Sequence, residues 1–159
     1  MGDGPSPEET AAWQKRLASQ ANNRAWALAE SASRSSDEDE EMLQAAHAAM
    51  YLWRIVGTAS NRAHASQLVA HVYGLLKLSG PAKYYLKQSQ PFFLDRESKP
   101  WEQAFAHAVA ANVAAAAGDV EAHSRHYREA QRLVASLMDS QDREILGATM
   151  RVIPQPAAP

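Results

Sequence analysis

The 159-residue chain contains no cysteine. That excludes disulfides, thiol nucleophiles, and zinc or iron–sulfur sites built on cysteine, and nothing in the chain requires an oxidising compartment. Glycine and proline are sparse, 7 and 8 residues, and most fall between stretches of helical periodicity. No stretch alternates apolar and polar residues for long enough to make a strand. The longest weakly polar run, Ala104 to Ala117, is mostly alanine and carries His107 and Asn112, so it is too short and too polar to span a bilayer. Residues 1 to 10 lack a basic segment followed by an apolar one, which predicts no secretory signal. A formal net charge of -2 argues against a dedicated nucleic-acid binder. These absences predict a cytoplasmic protein with neither membrane nor nucleic acid as a partner.

What is present is helical periodicity, and the spacing predicts about seven helices packed antiparallel to their neighbours in one all-α domain, residues 7–152. Residues 1–6 are expected to be a flexible tail, and the proline-rich residues 153–159 a disordered one. Ser6-Pro7 has the chemistry of a helix start, a side-chain cap followed by a proline with no amide to lose. The first helix is expected to run to about Ser33. The acidic run Asp37–Glu41 suits the first turn of the second, where carboxylates meet the positive end of the helix dipole. That helix is expected to end at Gly57, with Met42, Ala46, Ala49, Trp53 and Val56 as its buried seam. A third starts near Thr58 or Ser60. Gly80-Pro81 separates it from a fourth, which runs to about Phe93. A fifth spans Trp101 to Ala117, Gly118-Asp119 separates it from a sixth ending near Met138, and Ser140–Val152 forms the last.

Two stretches, 66–91 and 107–132, share a helix–break–helix layout 41 residues apart. A period in this range is the mark of stacked helical pairs. Alanines at 104, 108, 111, 114 and 115 let other helices approach the fifth closely, with the third and sixth expected on either side. The pattern Ala70, Tyr73, Ala82, Leu86, Ser89, and again Ala111, Ala114, His123, Tyr127, Ala130, resembles the tetratricopeptide (TPR) repeat, a 34-residue helical pair. The longer period here would place its extra residues in a loop around Glu97 to Gln103. The resemblance implies a TPR-like stack of helical hairpins whose inner groove is lined by the first helix of each pair. In this chain that surface comprises His64, Gln67 and His71 on the third helix, with Phe105, Ala108 and Asn112 on the fifth. It is a hydrogen-bonding surface with little charge, suited to a polar or mildly apolar ligand. The implied work is binding a protein or peptide, or a second copy of the chain in a homodimer.

Six histidines without cysteine raise a competing class, an enzyme or metal-dependent sensor built on His47, His64, His71 and His107. His123 and His126 are one helical turn apart and can share an ion, whereas His64 and His71 are roughly 10 Å apart along a helix axis. No Glu-x-x-His pair or His-Glu-x-x-His run accompanies them, and no nucleophile elbow or phosphate loop occurs. No catalytic residue, metal ligand or cofactor is therefore assigned. His47 shares a helix face with Met50, Tyr51 and Arg54, and is expected to line a cleft with His64 and His71.

Overall fold

The computed structural model describes residues 4–157 as seven α-helices. The outermost parts of both expected tails, residues 1–3 and 158–159, lie outside the described residues. Helix α1 spans Pro7–Ala29, capped by Ser6, whose hydroxyl accepts from Glu9 N while the Glu9 carboxylate accepts from Ser6 N. Helix α2, Ser36–Val56, repeats this reciprocal cap with Ser35 and Glu38, and α3, Ala59–Leu75, repeats it with Thr58 and Asn61. Helices α4, Ser79–Leu94, and α5, Pro100–Ala116, follow. The last two, α6 (Val120–Ser136) and α7 (Ser140–Val152), are capped by Asp119 and Asp139.

Two boundaries differ from expectation. Helix α1 stops at Ala29 rather than Ser33 because the Arg34 guanidinium turns back and donates to the carbonyls of Leu28 and Ser31, closing the helix end. Asp39 of α2 holds that guanidinium in place at 2.6 Å. Gly80 and Pro81 lie inside the first turn of α4, where proline's missing amide costs nothing. The break falls earlier, at Lys77 and Leu78. Helix α5 starts at Pro100, one residue before the expected Trp101, so residues 100–103 form its first turn and only Glu97 to Lys99 of the stretch expected to hold the extra residues lie in a loop.

The 41-residue period is carried by the turns. Lys77 adopts φ 59°, and Leu78 N donates to Tyr73 O at 2.9 Å. Gly118 adopts φ 70°, and Asp119 N donates to Ala114 O at 3.0 Å. Both are the same left-handed closure of a helix end, and it throws the chain back into an antiparallel second helix. Glycine meets the positive φ in one copy. In the other a lysine does, at a cost of about 1 kcal/mol.

Helices pair as hairpins, α1 with α2, α3 with α4 and α5 with α6. The first helices of successive pairs also touch, α1 against α3 and α3 against α5, and α7 packs on α5 and α6. Helix α5 is therefore flanked by α3 and α6 as its alanines predict, and every residue from Ala104 to Ala114 except His107 is buried. The third and fifth helices approach each other closely at Gly74. A side chain there would place its first carbon 2.6 Å from the Asn112 amide nitrogen, a distance no real contact tolerates. Among the described residues no helix is long and apolar enough to cross a membrane.

Candidate functional site

The inner face of α3 and α5 carries a buried polar set. The Asn112 amide donates to the His71 carbonyl at 2.9 Å and to His71 Nδ1 at 3.1 Å, linking equivalent positions of the two repeats. Because a carbonyl can only accept, the first bond orients the amide, and the second then makes Nδ1 an acceptor. The proton of the neutral ring sits on Nε2. Complete burial, with the Arg34 charge adding to it, pushes the His71 pKa down to about 3, so the ring is neutral at physiological pH. His71 Nε2 and, one turn away on the same face of α3, Gln67 Oε1 have no hydrogen-bond partner among the described residues. Trp26 of α1 stacks on His71 with ring centroids 5.4 Å apart and tilts against Phe105 at 4.9 Å.

Above this layer runs a groove of about 530 Å³ with α1 and α7 as its walls. Trp26, Phe105 and Trp101 make an aromatic floor, Ile145 and Leu146 an apolar side, and Asn22, Asn23, Glu30, Asp142 and Thr149 the polar edge. Burial pushes the Glu30 carboxyl above its ordinary range, and the Arg151 charge pulls it partly back. His64 closes one end, stacked on Trp101 at 5.6 Å and 9° and bonded to Glu102 Oε1 at 3.2 Å. Burial lowers the His64 pKa more than Glu102 restores it, so this contact is a hydrogen bond from a neutral ring rather than an ion pair.

Of the six residues placed on one surface by repeat register, Ala108 is fully buried in a cluster with Tyr127 and Ala130 of α6, and the other five occupy three environments. His64 and Phe105 line the groove. Gln67 and His71 lie beneath it, at 1% and 0% exposure. Asn112 is also buried, beside a separate cavity of about 400 Å³ bordered by Arg34, Lys77 and Arg151. Register alone left out Trp26, Asn22 and Asn23 on α1, Glu30 at its C-terminal cap, and Asp142 and Ile145 on α7. Trp26 follows Asn22 by four residues, and Thr149 follows Ile145 by four, a one-face spacing that could have marked both walls.

The histidines do not form one cluster. His47 does not share a cleft with His64 and His71. It bonds Tyr73 Oη at 2.9 Å and lines a cavity between α2 and α4. The reason is its helix face: the stripe His47, Met50, Tyr51, Arg54 lines that cavity with residues of α3 and α4. His123 and His126 do not converge either, since His123 Nε2 donates to the Pro154 carbonyl at 2.8 Å. His126 meets His107 of α5 instead, Nδ1 to Nδ1 at 2.9 Å, one ring donating and the other accepting. Burial lowers both pKa values, that of His126 to about 4, with the neighbouring His107 contributing. Among the described residues no group of three or more His, Asp or Glu side chains is placed to hold a metal ion. No protein-family model, curated protein or solved structure matches the chain.

Proposed function

We propose that this chain is a TPR-like interaction module. In this reading its groove holds an extended segment of a partner protein, with an apolar or aromatic side chain seated on Trp26, Trp101 and Phe105. The observation that carries the reading is the composition of the groove: an aromatic floor, an edge of side-chain amides, and two carboxylates with no lysine or arginine among the lining residues. Aromatic floors supply most of the binding energy at such surfaces, and amides pair with the backbone of an extended segment. Glu30 and Asp142 favour a segment carrying Lys or Arg beside its apolar anchor, through charge complementarity. The 41-residue hairpin repeat supports the TPR-like part of the reading, since such stacks present concave surfaces of this kind.

Selection from a random peptide library tests it. Bound peptides should share an apolar or aromatic residue next to a basic one. Asp142→Asn and Ile145→Ala should each weaken them about tenfold with the melting temperature unchanged, the scale of one lost charge-assisted or well-buried apolar contact. Peptides whose affinity ignores both substitutions would refute the site. A homodimer would bring such a segment from a second copy, and light scattering distinguishes that case.

A metal-dependent sensor is the second reading, favoured by one observation, the His107–His126 contact across α5 and α6. Both rings are neutral and so competent as ligands without losing a proton. Zinc or nickel should then raise the melting temperature of the wild type and leave His126→Ala unmoved; equal response in both proteins would remove this reading.

A further inference from the structure

A second cavity, of about 860 Å³, lies between α2 and α4 with α3 as its floor. Its size is within the range of small-molecule sites, roughly 300–1,000 Å³. We propose that this cleft binds a nucleoside phosphate, with the base against its tyrosines and the phosphate on Arg54 and Arg62. The inference is independent of the groove between α1 and α7.

Three features carry it. The lining contains two arginines and no carboxylate, although the chain as a whole is slightly acidic. Arg54 makes no ion pair among the described residues. Arg62 donates through Nη1 to the Gly57 carbonyl at 2.9 Å, which anchors the guanidinium and leaves its other donors free for an anion. Next, the walls present flat aromatic faces to solvent. Tyr51 on α2 is 65% exposed and Tyr84 on α4 is 60% exposed, far more than packing within the fold would leave. Large exposed rings beside guanidinium groups with no carboxylate partner suit a planar base joined to a negatively charged phosphate. Finally, the deep side is rigid and polar. Tyr85 stacks on Tyr73 at 5.9 Å and 6°, and Tyr73 is bonded to His47, so this wall is already in place before any ligand arrives. Ser66 and Gln88 add donors and acceptors suited to the edge of a base.

Titration of the full chain with AMP, ATP, GTP and inorganic pyrophosphate, followed by calorimetry, tests this. The expected result is saturable binding of at least one nucleotide, tighter than pyrophosphate by tenfold or more. Arg54→Ala and Tyr84→Ala should each weaken it at least tenfold. Both side chains are exposed, so thermal melting should confirm that the variants fold. Asp142→Asn, on the other groove, should leave the affinity as it is. The proposal is overturned by absence of saturable nucleotide binding, by pyrophosphate binding as tightly as the nucleotides, or by affinity that survives both cleft substitutions.

Discussion

Gly74→Ala should destabilise the protein although alanine is the better helix former. The added carbon would sit 2.6 Å from Asn112 Nδ2 and 3.0 Å from Asn112 Cγ, so the amide must move. Asn112 is 2% exposed and spends its amide hydrogens on two atoms of His71, which leaves it no equivalent position. Overpacking of this kind costs about 1–3 kcal/mol. Losing the two hydrogen bonds leaves the buried His71 Nδ1 and the buried Asn112 amide without partners, at about 1–3 kcal/mol more. Helix propensity returns about 1 kcal/mol. The balance is a loss of roughly 1–5 kcal/mol, or about 2–20 °C in melting temperature for a chain of this length. Urea titration of four proteins measures it: wild type, Gly74→Ala, Asn112→Ala and the double variant. Removing Asn112 first opens space for the new methyl, so the double variant should be more stable than the sum of the single losses, by about 1 kcal/mol or more. A neutral or stabilising Gly74→Ala, or strict additivity in the cycle, would refute the close approach of α3 and α5.

Further outcomes follow from individual residues. Lys77→Gly should raise stability by about 0.5–1 kcal/mol by removing the left-handed strain at φ 59°, while Gly118→Ala should lower it by a similar amount. Nothing lies within 4 Å of a side chain at Gly118, so its cost is conformational alone; a fall in urea midpoint for Lys77→Gly would contradict this. His71 has a folded pKa near 3, below its unfolded value of about 6.5, so the unfolded chain takes up the proton first. Stability should therefore be intact above pH 6.5 and fall below it, by up to about 1.4 kcal/mol per pH unit from this residue. His47, His64, His107 and His126 push the same way. Between pH 6.5 and 5, urea midpoints of His71→Gln should decline less steeply than those of the wild type, and equal slopes would show that His71 is not buried neutral.

Much of the architecture is written locally. Ser6-Pro7, Ser35 with Glu38, and Asp119 cap the helices they precede because capping depends on residues three positions apart. The alanines of α5 predict its burial between neighbours for the same reason: small side chains on every face leave no exposed stripe. The break before α4 was misplaced because Gly80-Pro81 has the composition of a turn, while a lysine supplies the positive φ. Composition cannot reveal a strained residue whose compensation lies in packing. The candidate site was legible only in part. Repeat register located the inner face of α3 and α5, but whether His71 meets solvent depends on Trp26, forty-five residues earlier on a helix outside the repeat. Similarly, the stripe of His47, Tyr51 and Arg54 is visible in sequence, whereas its facing wall of Tyr84 and Tyr85 comes from tertiary packing of α2 and α4 on α3.

Fluorine NMR of the chain labelled with 5-fluorotryptophan, titrated with a library-selected peptide, reads the central claim most directly. The four tryptophans report on distinct regions: Trp26 and Trp101 line the groove, while Trp13 and Trp53 lie outside it. The account predicts saturable shifts of the Trp26 and Trp101 resonances, with those of Trp13 and Trp53 unmoved. Shifts confined to Trp13 or Trp53, or saturated binding that leaves Trp26 and Trp101 where they were, would contradict it.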